Sequence, residues 1–228
     1  MEQRDERLGA ELSDPIAACI LTSLGLARRL DRPFRNWRLT GLFPEAVAAE
    51  LAVLPFGPPA LDGDSGRREL HNDSRHYFAG EVTARRPVAR RVAEAFQSPA
   101  VVGGFARATG AQLDGTFLRI EYAADPDGFW LEPHTDLGVK AITLLIQLGG
   151  EGQEGLGTDL YAEPGEWSDR AVFDWNGALL FVPSNNTWHG FEPRPIQGLR
   201  RSVIVNYVTT EWRAREQLAF PNTPVRAA

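Results

Sequence analysis

Cysteine is almost absent from this chain. Cys19 is the only one in 228 residues, which excludes an internal disulfide framework and fits a reducing compartment. Long hydrophobic runs are missing too. The most apolar early segment, DPIAACILTSLGLARRL, is too short and interrupted to span a membrane. Its acidic lead-in, MEQRDERLGAELSD, lacks the positive region of a secretory signal, so a cytoplasmic protein without a membrane partner is expected. Within that segment Cys19 reads as a helix-core side chain. Positive charge is not in excess: 24 Lys and Arg stand against 30 Asp and Glu, a net charge of −6. This argues against a nucleic-acid partner, which calls for a basic footprint. The local cluster Arg85, Arg86, Arg90 and Arg91 alternates with Glu81, Glu94 and apolar residues, as on a solvated helix face. No internal repeat or low-complexity tract is visible.

The remaining composition, 43% hydrophobic and 24% charged, is that of an ordinary globular chain, long enough to bury a substantial core. Helical signals dominate the first half. Asp14-Pro15 places an N-cap residue before a proline at the first helical position. Pro44 opens PEAVAAELAVL, whose apolar residues recur at helical spacing. Further helices are predicted over RPVARRVAEAF and near PAVVGGFARATG, while PFGPPALDGDSGRREL breaks structure heavily. From Phe117 onward short β-prone runs take over: TFLRIEYAA, AITLLIQLGG, TDLYAE, AVFDWNGALLFVP, WHGFEP and RRSVIVNYVT. Separated by Gly, Pro, Asn and Asp, they predict a β-sandwich or barrel. No linker divides the halves. The expectation is one α+β domain over 1–228, with mainly helical support in 1–115 and a β-core in 116–212.

Histidine is scarce, with four in the chain, yet two stand where chemistry is possible. His134 and Asp136 flank Thr135, and residues two apart on extended backbone point to the same side. His189 follows a buried-looking strand, between Trp188 and Gly190. As a packed aromatic it needs no function; joined to the triplet it completes two imidazoles and one carboxylate. That set with open positions is the facial triad of non-haem Fe(II) oxygenases, although zinc binds the same residues in hydrolytic sites. Beyond it lies GLRRSVIVNYV. Arg200 and Ser202 share one strand face and can grip a carboxylate through a charged fork and a hydroxyl. Strand alternation then sends the neighbouring Arg201 to the other face.

The ordered set EPHTD, TWHG and GLRRS resembles the Fe(II)- and 2-oxoglutarate-dependent dioxygenases over roughly Phe117 to Thr210. The likeness is nearest to the prolyl-4-hydroxylase-like branch, where a strand ending in tyrosine precedes the histidine and aspartate, as in LRIEYAADPDGFWLEPHTD. The resemblance implies a double-stranded β-helix, the jelly roll also seen in cupins, buttressed here by N-terminal helices. It implies His134, Asp136 and His189 as ligands of Fe(II), and Arg200, Ser202 and Tyr122 as contacts to 2-oxoglutarate. In the prolyl-hydroxylase branch a lysine often takes the place of Arg200, so the arginine is a departure. It further implies hydroxylation of an unactivated C–H bond by dioxygen, coupled to decarboxylation of 2-oxoglutarate to succinate. Related halogenases lack the carboxylate ligand, so Asp136 favours hydroxylation.

A fainter likeness, in VNYVTTEW and HNDSRHYF, is to hydroxylases and halogenases of free amino acids. It implies a small-molecule substrate, with Arg75 gripping its carboxylate and Glu121, Asn206 and Thr209 as polar partners. Each has a plainer reading: Arg75 as a loop ion pair, Asn206 as a strand-end cap, Glu121 as an exterior charge. His71 and His76 read as solvated loop residues, His76 also as a pocket liner. Trp130, Trp188 and Trp212 read as packing. The glycine-rich segment 149–157 is a candidate lid. A peptidyl hydroxylase and a non-catalytic metal-binding jelly roll are the alternatives; a binding module has no need of Arg200.

Overall fold

A computed structural model of the protein describes residues 14–58, 61, 66, 75–136 and 138–228. The chain opens with α1 (Pro15–Gly25), a hairpin of β1 (Arg28–Leu30) and β2 (Asn36–Leu39), then α2 (Glu45–Ala52). After β3 (His76–Tyr77) come α3 (Gly80–Arg85), α4 (Pro87–Gln97) and α5 (Pro99–Thr109). The remainder is β4 (Phe117–Asp125), β5 (Leu131–His134), β6 (Lys140–Leu148), β7 (Asp159–Glu163), β8 (Glu166–Arg170), β9 (Trp175–Phe181), β10 (His189–Phe191) and β11 (Arg200–Val208).

The helices begin and end where their chemistry permits. Asp14 Oδ1 accepts from the Ile16 amide at 3.0 Å, satisfying a donor that α1 leaves open. Ser98 caps α5 in the same way through Val101, and Gly110, at a left-handed φ of 79°, closes it. Arg85 and Arg90 pair with Glu81 and Glu94 at i,i+4 on exposed faces, as the charge pattern predicts.

Two antiparallel sheets form the β-core. The larger runs β1-β2-β9-β6-β11-β4-β3, the smaller β5-β10-β7-β8. Alternation sorts the central strands of the large sheet into two faces. Leu118, Ile120, Tyr122 and Ala124 of β4, Ile142, Leu144 and Ile146 of β6, and Val203, Val205 and Tyr207 of β11 join the main apolar core with the buried sides of the helices. The Tyr207 hydroxyl donates to the Phe96 carbonyl at 2.5 Å, tying that face to α4. The opposite face looks towards the smaller sheet and carries Arg119, Glu121, Asp125, Thr143, Gln147, Ser202 and Asn206, all buried. Smaller apolar clusters close the interior between the sheets, one around Phe34, Leu160 and Phe181, another around Phe129, Phe173 and Phe191. This is the α+β jelly roll, with helices packed on one sheet.

The first half is less purely helical than its sequence predicts. β1 and β2 extend the large sheet past β9, with Asn36 paired to Phe181 and Leu39 to Ala178. The run RRLDRPFRNWRL is arginine-rich and lacks a clean alternation, so its strands owe their existence to tertiary pairing rather than local propensity. The charged β8, EWSDR, escapes notice for the same reason. Among the described residues no helix is long and apolar enough to cross a membrane. Cys19 sits half-buried in α1.

Candidate metal centre

β5 and β10 are adjacent antiparallel strands in which His134 lies opposite His189, and the two rings sit 4.4 Å apart between centroids. The chain then turns from β5 into β6, and Asp136 in that turn swings its carboxylate back beside the rings. One ligand atom from each of His134, Asp136 and His189 lies within 4.8 Å of the others. The imidazoles are oriented as ligands. His134 Nδ1 is 2.8 Å from the Glu132 carbonyl and His189 Nδ1 is 2.9 Å from the Thr187 carbonyl. A carbonyl only accepts, so each Nδ1 carries a proton and each Nε2 is the ring nitrogen left for a metal. Burial, reinforced by the neighbouring His134, pushes the His189 ring down to about 3, so it stays neutral, the form that binds a metal. Phe181 closes one side of His189 at 4.9 Å between ring centroids. Two imidazoles and a carboxylate, converging from a rigid strand pair and a turn, fit a divalent transition metal such as Fe(II).

A small cavity of about 50 Å³ opens beside His134 and His189, and Arg200 and Ser202 line it with Gln147, Thr158, Phe191 and Arg75. Arg200 is aimed by its neighbours. Its Nε donates to the Leu156 carbonyl at 2.7 Å and one terminal nitrogen donates to Asp125 Oδ2 at 2.7 Å. The guanidinium stacks over Phe191 at 4.5 Å and Phe173 at 5.0 Å. Burial disfavours its charge and the Asp125 carboxylate offsets that cost. An anion entering the cavity meets a desolvated fork with a hydroxyl beside it. The carbonyl that aims Arg200 belongs to the 149–157 segment, which is pinned: Leu156 is buried against Phe173 and Phe191, and Gln153 Nε2 donates to the Gln197 carbonyl at 2.9 Å.

Not every candidate residue arrives. Tyr122 points to the helical side, where its hydroxyl donates to the Leu51 carbonyl at 3.0 Å and burial pushes its proton affinity up to about 12. It stands one residue from Glu121, and strand parity puts the two on opposite faces. Tyr122 therefore does not reach the cavity, and the expected contact to 2-oxoglutarate is withdrawn. Arg201 takes the face away from Arg200, as alternation requires. His76 is half-buried rather than solvated, stacked on Phe56 at 4.2 Å on the Tyr122 side of the sheet, away from the cavity. His71 lies outside the described residues.

Arg75, Glu121 and Asn206 do come together, as a buried polar wall. Arg75 pairs with Glu121 at 3.0 Å and approaches Asp125 at 3.8 Å. Glu121 also accepts from Arg119 at 2.6 Å, and Arg119 donates to Asn206 Oδ1 at 3.0 Å. Of the three, Arg75 lines the cavity; Glu121 and Asn206 stand behind it as its support. Thr209 follows β11 and accepts from the Glu211 amide at 3.4 Å, outside the residues that line the cavity. Trp212 packs, lying against the Arg119 guanidinium at 4.9 Å. Asp125, Thr143, Lys140 and Gln147 join the site without having been singled out in the sequence. For Thr143 and Gln147 the signal is polar residues four apart inside the apolar strand AITLLIQL, and for Asp125 the same spacing from Glu121, which marks a polar inner face; Lys140 stands three residues from Thr143, beside a register shift, and falls outside that pattern.

Solved structures match this arrangement of elements. A prolyl hydroxylase from Trichoplax adhaerens, in complex with a hypoxia inducible factor oxygen degradation domain peptide fragment, aligns with a TM-score of 0.53 at 15% identity, covering 94% of this chain and 96% of that one. A Pseudomonas putida prolyl-4-hydroxylase aligns at 0.51 and 13% identity, over 85% and 94%. The chain has the prolyl hydroxylase fold. A third likeness, to a prolyl 4-hydroxylase from Phytophthora capsici, has a TM-score of 0.52 at 13% identity, covering 91% of this chain and 66% of that one. No family model and no curated protein matches the sequence.

Proposed function

We propose that this protein is an Fe(II)- and 2-oxoglutarate-dependent hydroxylase. The observation that carries the reading is the convergence of His134, Asp136 and His189 within 4.8 Å, beside a cavity that also holds Arg200 and Ser202. Fe(II) bound by this triad, with 2-oxoglutarate and dioxygen, supplies the oxidising chemistry: R–H, O₂ and 2-oxoglutarate give R–OH, succinate and CO₂. The protein's own part is geometric. His134, Asp136 and His189 would hold the metal. Arg200 and Ser202 take the distal carboxylate of 2-oxoglutarate, with Asp125 and the Leu156 carbonyl keeping the guanidinium in place. Phe129, Phe191, Leu131 and Leu145 supply the apolar part of the cavity wall, which limits competing water at the reaction.

The substrate is a free amino acid or a close derivative. The small cavity supports this, as does Arg75, a guanidinium in its wall that Glu121 and Asp125 hold in place. A prolyl residue in a peptide is the second reading, favoured by the Trichoplax neighbour, which was solved with a peptide fragment. The deciding experiment loads the protein with Fe(II), adds 2-oxoglutarate and air, and measures succinate over a panel of free amino acids and proline-containing peptides. Slow succinate formation without substrate, and a gain of one oxygen on a free amino acid, are expected. No succinate from folded, iron-loaded protein under any condition would remove the oxygenase reading; turnover on peptides alone would move the substrate to the second.

A further inference from the structure

Asp136 is gripped on both oxygens by its own chain. Lys140 forms a buried ion pair with Oδ1, and Thr143 Oγ1 donates to Oδ2 at 2.5 Å. Thr143 is held in turn. Asn206 Nδ2 donates to the Thr143 oxygen at 2.9 Å, so the threonine proton is directed at the carboxylate. Asn206 Oδ1 accepts from Arg119 at 3.0 Å, which settles which way the amide faces. Arg119 is locked by Glu121 at 2.6 Å and Gln217 at 2.9 Å, with its guanidinium against Tyr77 and Trp212. A guanidinium only donates and a carboxylate only accepts. The direction of every bond from Arg119 through Asn206 and Thr143 to Asp136 therefore follows from its two ends. All four side chains are buried.

We propose that Thr143 is a positioning residue for the metal-binding carboxylate. Its hydroxyl holds Oδ2 so that Asp136 meets the metal in one rotation, and the Asn206–Arg119 chain behind it keeps that hydroxyl from turning away. Lys140 meets the other oxygen, Oδ1, and adds the balancing charge, a compact ammonium with three rotatable donors. The inference rests on reading the triad as a metal site, and its test separates the two claims.

Co(II) is titrated anaerobically into the full chain without 2-oxoglutarate, followed by visible absorption and calorimetry, for the wild type, Thr143→Val and Thr143→Ser. Loss of an outer partner of a metal ligand commonly weakens affinity 10- to 100-fold, so Thr143→Val is expected to lose about 10-fold or more and Thr143→Ser less than about 3-fold. Equal affinity of the valine variant and the wild type would overturn the proposal. So would equal losses in both variants, because the hydroxyl would then not be the cause. Should the valine variant fail to fold, Thr143→Ala against Thr143→Ser makes the same comparison. Failure of the wild type to bind Co(II) would overturn the metal site itself, and this proposal with it.

Discussion

The two faces of β4, β6 and β11 share one backbone and answer to different demands. On the helical side, Ile142, Leu144, Val203, Val205 and Tyr207 are buried for area, and their worth is hydrophobic and collective. On the inner side, Arg119, Glu121, Asp125, Thr143 and Asn206 are just as buried, yet each is placed by directed hydrogen bonds. A buried charge is costly unless paired and hydrogen-bonded. The inner face thus buys geometry, and the outer face supplies the stability that holds it.

The sharpest way to break this contrast is His189→Ala on the inner side. It is expected to abolish binding of Fe(II) or Co(II) while circular dichroism still reports the folded chain. Metal binding that survives would remove His189 from the ligand set. The counterpart on the outer side is Leu144→Ala, at a fully buried site. Urea unfolding should show a loss of about 2–5 kcal/mol, as for other core truncations, with metal affinity of the folded fraction unchanged. If affinity fell with stability, the two faces would not be separable. Arg200→Lys keeps a cation facing Asp125 and removes the fork. Binding of 2-oxoglutarate to the metal-loaded protein should weaken about 10-fold, since lysine does not replace arginine at a bidentate site. Unchanged affinity would refute the assignment of Arg200.

The smallest expected effect tests the outer face by pH. Burial lowers the proton affinity of His76, which stacks on Phe56. The unfolded chain takes up a proton that the folded chain refuses, so His76 costs stability only as pH falls below the ordinary imidazole value. His76→Phe keeps the stacked ring, and should flatten part of the stability loss between neutral pH and about pH 5. His189 contributes in the same direction in both proteins, so the difference isolates His76. Parallel profiles for the two proteins would show that His76 does not matter there.

The legible parts of this molecule are those where spacing carries the information. Arg200 and Ser202 stand two apart on one strand and share its face, as that spacing implies; His134 and Asp136 converge as well, although the turn after β5, and not strand alternation, brings the carboxylate back. The six β-prone runs beyond Phe117 all become strands. Tyr122 departs from its expected place by one step of the alternation rule: counted from Glu121 and Asp125, its parity sends it to the helices. β1, β2 and β8 could not be read locally, because their pairing partners lie far along the chain. The chain from Arg119 to Asp136 was hidden for a related reason, since Arg119, Thr143 and Asn206 come from three strands whose register no local pattern reveals.

Gly157 has a consequence that reaches across the molecule. A β-carbon built there would stand 1.3 Å from the Ala171 carbonyl oxygen, a collision with main chain that no rotamer relieves. The residue just before it lends the carbonyl that steers Arg200. Adding a single methyl at this crossing would therefore push the two segments apart and shift the carbonyl that orients Arg200, through a position that lines neither the cavity nor the metal centre.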